Sequence, residues 1–317
     1  MSRREAGPAP AGGLVVVDKP AGWTSHDVVA RARRLAGTRR VGHAGTLDPM
    51  ATGVLVLGVG RTTKLLTHLV RADKEYLATV RLGEATTTDD AEGEVLAAAG
   101  TRLDPAVLDP AVLDRAVLEA AARPLTGSIE QVPSSVSAIK VDGRRAYARV
   151  RGGEEVQLRA RPVRVDVFEL GDPRAATGVS GAPVVDVDVR VVVSSGTYVR
   201  ALARDLGAAL GGGGHLVSLR RTRVGPYGLE GARTLEQLEE SFALLPLAEA
   251  ARAAFPVREL SEAEAVELRH GRSVGVVPGS CGTREAPVAA FAPDGALVAL
   301  VHDERGATRP SLVLLPA

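Results

Sequence analysis

The run Val184 to Ser194 constrains this chain more than any other segment. Val185, Val187, Val189 and Val191 alternate with Asp186, Asp188 and Arg190. A strict period of two puts every valine on one face and every charge on the other, which is the pattern of a strand with one face on a core. Residues 163–170 form a second Val-rich strand of the same kind. Only 3% of residues are aromatic, so the core has to be built from small and β-branched side chains. Hydrophobic content of 45% and charged content of 24% are ordinary for a globular protein and exclude a disordered chain or a fibre.

The other elements do not follow a regular βαβ order. Leu14–Val17 reads as a short buried strand, followed by a helix whose apolar residues Val28, Val29, Ala32, Leu35 and Ala36 keep helical spacing, with Ser25 as its N-cap. Strands are expected over 53–59 and 74–82, a short helix near 62–70, and an amphipathic helix over 201–210 ended by a glycine run. Strands mixed irregularly with helices predict an α+β fold with a large mixed, mainly antiparallel sheet. Residues 271–315 are short Val/Ala/Leu strands cut by Gly, Pro and Asp turns, after a short helix at 262–268, and predict a small β-rich domain. The expected organisation is a flexible tail over 1–12, a large domain over 13–250 and a small one over 251–317. The pentapeptide repeat at 104–118 reads as an expanded connector.

Net charge is +1, but it is unevenly spread. Five arginines and no acid occupy 31–40, and eight basic residues face three acidic ones between Lys140 and Arg164. Such local clusters can meet a polyanion although the sum is near zero. Cys281 is the one cysteine, and the six histidines show no metal-ligand spacing, so neither an internal disulfide nor a metal site is expected. No phosphate-binding glycine loop appears, and no nucleotide cofactor is expected. Without an apolar leader or an apolar run of about 18 residues, a cytoplasmic protein off the membrane is the expectation.

Four places could carry chemistry. Asp48 stands between Leu47 and Pro49, and Pro49 restricts its backbone to extended or turn geometry. A carboxylate so held can act at an anomeric carbon, or can simply open a turn. Gly42 and Gly45 in the same loop allow close approach of a ligand, with His43 between them as a contact residue or an ordinary loop histidine. Tyr76 is one of only three aromatics in the first 167 residues. It either stacks on an unstacked base or fills a half-buried strand position. Arg200 follows Ser194-Ser195-Gly196-Thr197-Tyr198-Val199 at a strand-to-helix junction, where a guanidinium can pair with carboxylate or phosphate or stand as a helix-start surface residue.

Together these segments resemble a family. Gly42-His43-Ala44-Gly45-Thr46-Leu47-Asp48-Pro49-Met50-Ala51-Thr52-Gly53, followed by Gly60-Arg61-Thr62-Thr63-Lys64, is similar to the TruB pseudouridine synthases. Lys74-Glu75-Tyr76, Thr86-Thr87-Thr88-Asp89-Asp90-Ala91-Glu92-Gly93, Gln131-Val132-Pro133 through Lys140 to Tyr147, and Gly196-Thr197-Tyr198-Val199-Arg200 with Asp205-Leu206-Gly207 and His215-Leu216 continue the resemblance in order. It covers about residues 13–245; the last 65 or so residues resemble the family's PUA-like domain loosely.

The resemblance implies the pseudouridine synthase fold and isomerisation of uridine at position 55, in the TΨC loop of tRNA, without a cofactor. It places Asp48 as the catalytic carboxylate, either attacking C1′ or assisting C2′ deprotonation. Tyr76 stacks on the flipped uracil, Arg200 holds Asp48 ionised and Tyr198 lines the pocket. His43 enters the space left by the base, and Lys19 and Lys64 make supporting contacts near the active site or the RNA backbone. Asp90 and Lys140 join the substrate-binding set, and Arg220, Arg221 and Arg223 meet phosphates with the other arginine clusters. The T arm of tRNA is the expected partner, with no protein partner and a monomeric chain. Two other readings stay open: a tRNA-binding or folding role with modification secondary, and a pseudouridine synthase acting on other RNAs. A glycoside hydrolase is more distant, because Asp90 is the only nearby candidate for its second carboxylate.

Overall fold

Val185, Val187, Val189, Val191 and Val193 are at most 4% exposed, so the alternation of the sequence becomes a buried face. The strand Pro183–Val193 pairs antiparallel with Lys74–Leu82, from Val185 opposite Leu82 to Val193 opposite Lys74. Each buried Val contributes about 1.5–3 kcal/mol relative to an exposed one. The other face carries Asp186, Asp188 and Arg190 as ion pairs: Arg81 grips Asp186 through two bonds of 2.8 Å, Arg174 holds Asp188, and Arg190 holds Glu169.

A computed structural model describes residues 12–96, 113–134, 140–141, 144–145, 158–277, 279 and 282–315. Most of the expected tail, residues 104–112 of the repeat, much of the basic cluster from Lys140 to Arg164, and Cys281 lie outside them. Lys140 is described through its backbone alone, in the strand Lys140–Val141 paired with Arg144–Arg145. The contacts divide the chain into two compact units.

One unit comprises Pro49–Gly53 and Asp73–Arg223. Its strands lie in the order Gly214–Val224, Lys74–Leu82, Pro183–Val193, Arg161–Leu170, Gly127–Gln131. Pro183–Val193 is antiparallel to Lys74–Leu82 and to Arg161–Leu170, as Gly127–Gln131 is to Arg161–Leu170, whereas Thr52 and Gly53 run parallel to Arg220 and Arg221. Gly53 has φ +98°, and a Cβ there would sit 2.2 Å from the Arg221 carbonyl oxygen, so only glycine lets the two strands meet. The helix Val199–Ala209 buries Val199, Ala201, Leu202, Ala203 and Leu206.

The other unit comprises Met1–Asp48, Val54–Ala72 and Val224–Ala317. Gly13–Lys19 lies between Leu245–Pro246 and the strand that ends at Val59, and Val41–His43 pairs with that strand in turn. Leu14, Val16, Val54, Val56, Leu66 and Tyr227 share one core. The β-rich C-terminal segment is a five-stranded sheet, ordered Val257–Glu259, Val288–Phe291, Leu297–Glu304, Ala307–Val313, Val274–Gly275. Phe291, Leu297 and Leu300 pack with Leu65 and Ala251, so this sheet shares a core with residues far upstream.

The first helix differs from expectation at its cap. The helix is Ser25–Leu35, and its N-cap is Thr24, not Ser25. Thr24 accepts from the Asp27 backbone N–H while the Asp27 carboxylate accepts from the Thr24 N–H, a reciprocal capping box.

Candidate active site

Ser25, freed from capping, holds the loop that carries Asp48. Its hydroxyl donates to the Leu47 carbonyl at 3.0 Å and accepts from the Leu47 N–H at 2.8 Å. Ser25 is 1% exposed and Leu47 3%, so the residue before Asp48 is fixed by two buried bonds. Gly45 has φ +102°, a conformation that favours glycine, and turns the loop between Ala44 and Thr46. Ala44 donates to the Val56 carbonyl at 2.9 Å, which ties the other end to the sheet. Asp48 itself is half-buried. Gly42 serves packing: a Cβ there would come within 3.1 Å of Leu66 Cδ1.

The Ser25→Ala variant leaves the Leu47 N–H and carbonyl buried without this partner. We expect a loss of about 1–3 kcal/mol of unfolding free energy, read from urea denaturation, with a fall in turnover because the Asp48 loop loosens.

His43 ends the strand Val41–His43, and its ring meets the His26 ring edge-on at 5.7 Å. Lys19 is fully buried; its ammonium donates to the carbonyls of Trp23 at 2.7 Å and Pro20 at 3.0 Å. These two bonds tie Lys19 to the chain between the first strand and the first helix. Lys64 is exposed at the end of the 3-10 turn Gly60–Lys64.

Tyr76, Arg200, Asp90 and Tyr198 belong to the other compact unit. Tyr76 shares the buried face of its strand with Lys74 and Ala78, stands opposite Val191 and is 7% exposed. Arg200 lies in the first turn of its helix. Its guanidinium is 3.3 Å from the Asp90 carboxylate and donates to the Thr88 carbonyl at 2.9 Å. Asp90 is 2% exposed, and its other oxygen accepts from the Thr88 hydroxyl at 2.5 Å and the Glu92 N–H at 3.0 Å. Asp89 takes φ +59°, a left-handed turn that Asp tolerates, and delivers Asp90 to the arginine. Burial pushes the Asp89 carboxyl up, against the pull of the Ser134 hydroxyl and of Arg204 at 3.2 Å.

Sequence reasoning missed Gln131 as a positioning residue. Its amide oxygen accepts from the Tyr198 N–H at 2.8 Å and its NH2 donates to the Tyr198 carbonyl at 3.1 Å. Tyr198, the N-cap, has no side-chain cap bond, and Gln131 grips its backbone from another strand. The one sequence signal was the match of Gln131-Val132-Pro133 to a family segment.

Lys74 is 7% exposed, and burial, then the charge of Arg221, lowers its pKa from 10.5 to about 8. Between those values the unfolded chain binds the extra proton, so stability rises with pH across that window and the full penalty stands below pH 8. The unfolding free energy of wild type minus that of Lys74→Met should rise by about 1 kcal/mol per unit from pH 8 to 10. A flat difference would contradict the burial of this ammonium.

Residues 33–199 match the family model described as TruB family pseudouridylate synthase (N terminal domain). The chain belongs to the TruB family. Residues 200–253 match the tRNA pseudouridylate synthase B C-terminal domain, and residues 255–315 match the tRNA Pseudouridine synthase II, C terminal model. Among TruB relatives, the tRNA pseudouridine synthase B of Arthrobacter sp. (strain FB24) is 59% identical over 312 residues, 96% of this chain and 97% of that protein. That of Paenarthrobacter aurescens (strain TC1) is 60% identical over 310 residues, 96% of this chain and 95% of that protein. Among solved structures, a chain of a Cbf5-Nop10-Gar1 complex superposes with a TM-score of 0.68 at 26% identity, covering 96% of this chain and 85% of that one. The pseudouridine synthase fold expected from the sequence is the fold of this chain. Among the described residues no helix is long and apolar enough to cross a membrane.

Proposed function

We propose that this TruB-family chain isomerises uridine to pseudouridine at position 55, in the TΨC loop of tRNA. The observation that carries the reading is identity near 60% along almost the whole length of proteins named tRNA pseudouridine synthase B. The reaction breaks N1–C1′, turns the uracil and joins C5 to C1′; the hydrogen on C5 leaves and N1 ends protonated. Redox balance is unchanged and no cofactor is needed.

Asp48 supplies the carboxylate at the sugar, and the Ser25 clamp on Leu47 supports that role by fixing its loop. The base must leave its stack, at about a few kcal/mol. Tyr76 stacks on the extruded uracil and Tyr198, held by Gln131, lines the pocket. Arg200 orients the carboxylate, with Asp90 setting the direction of its guanidinium. His43 occupies the space left by the base, Lys19 supports the chain between the first strand and helix, and Lys64, Lys140 and the arginine clusters meet phosphates. The enzyme acts in the cytoplasm as a monomer on the T arm, without a protein partner, and residues 251–317 form a domain that extends the RNA footprint.

The loss of the C5 hydrogen gives the test. An unmodified tRNA transcript carrying tritium at uridine C5 should release tritium to water, up to one equivalent per tRNA. Binding without release would point to the folding role instead.

A further inference from the structure

A polar pocket of about 310 Å³ lies in the unit that carries the C-terminal sheet, lined by Thr67, His68, Arg71, Arg284, Pro310 and Ser311. Among the described residues, two arginines, a histidine and two hydroxyls line it and no carboxylate does. Arg71 and Arg284 are exposed, and among the described residues neither is in an ion pair. That distinguishes them from Arg81, Arg174 and Arg190, which are neutralised by Asp or Glu.

The His68 ring stands edge-on to Phe255 at 6.2 Å, and burial, then the charge of Arg71, holds its pKa below the usual histidine value. It therefore adds a neutral ring at pH 7 and leaves the positive charge to the arginines. Ser311 Oγ is 2.7 Å from His302 Nδ1, which fixes the hydroxyl at the edge of the pocket. The Thr67 hydroxyl already donates to the Lys64 carbonyl at 3.1 Å, so it offers shape here and no proton. Two unneutralised guanidiniums beside the Ser311 hydroxyl fit the tetrahedral oxygens of a phosphate, which arginine forks recognise bidentately.

We propose that this pocket binds a phosphate of the tRNA backbone and so couples the segment 67–71 to the C-terminal sheet on the RNA. The inference rests on the reading of the chain as a tRNA-modifying enzyme. A free phosphate has the same chemistry, and the test separates the two sources.

The full chain carrying Arg71→Gln and Arg284→Gln together is compared with wild type and with Arg272→Gln, an exposed arginine outside the pocket that pairs with Glu267. Transcript binding is followed from low to high KCl, and tritium release gives kcat and KM. The double variant should bind tRNA about tenfold more weakly, with the slope of log K against log salt shallower by about 1. Its melting temperature and its kcat at saturating tRNA should stay unchanged, and Arg272→Gln should match wild type throughout. An unchanged affinity and slope in the double variant, or a fall in kcat alone, overturns the proposal. If inorganic phosphate raises the melting temperature of wild type but not of the double variant, while both bind tRNA equally, the pocket serves a free phosphate and the RNA assignment is wrong. A wild type that releases no tritium but still differs from the double variant in salt slope overturns the proposed reaction and leaves the pocket standing.

Discussion

Asp48→Asn should lose pseudouridine formation by about 10,000-fold or more while binding tRNA with wild-type affinity. The substitution keeps the shape of the side chain and removes its charge, so a carboxylate that acts at C1′ is lost. Asp48 is half-buried beside Leu47, and the two Ser25 bonds that hold the loop are made to Leu47. The loop should therefore keep its path, and the melting temperature should move little. Single-turnover tritium release measures the chemical step, and filter binding of the same transcript measures affinity. A variant that still turns over at the wild-type rate would remove Asp48 from the chemistry; one that fails to bind would make it an RNA contact instead.

The second large effect is at Arg200. The side chains of Arg200 and Asp90 are 7% and 2% exposed. Removing one partner of such a pair strands the other charge in a poorly solvated place, at a cost of about 3–5 kcal/mol. Arg200→Met should show that loss in urea denaturation, together with loss of activity. Arg200→Met combined with Asp90→Leu removes both charges and should recover part of the stability while staying inactive. If Arg200→Met unfolds at the wild-type urea concentration, the pair does not hold this region together. If the double variant regains activity, Arg200 has no part in the reaction.

What could be read from the sequence, and what could not, separates by range. The valine alternation at 184–194 and the apolar spacing of the first helix are local signals, and both elements formed as expected. Thr24 and Ser25 are both good caps, and Asp27, three residues after Thr24, is the feature that decides for Thr24. A lysine is rarely fully buried, and nothing local announces the two carbonyls that hold Lys19. Gln131 and Tyr198 meet across 67 residues of chain, and only the fold brings them together. The pairing of Arg200 with Asp90 is equally long-range, although both stood within family-like motifs. Gly42 reads as room for a ligand in sequence, whereas a Cβ there would meet Leu66.

The central claim is a specific isomerisation at one place in tRNA. Its most direct test is to incubate the wild-type chain with an unmodified tRNA transcript and map pseudouridine along the whole molecule. The account predicts stoichiometric pseudouridine at position 55, none elsewhere, and none when Asp48→Asn replaces wild type. Pseudouridine at other positions, or a transcript left unmodified under conditions where it is bound, would contradict it.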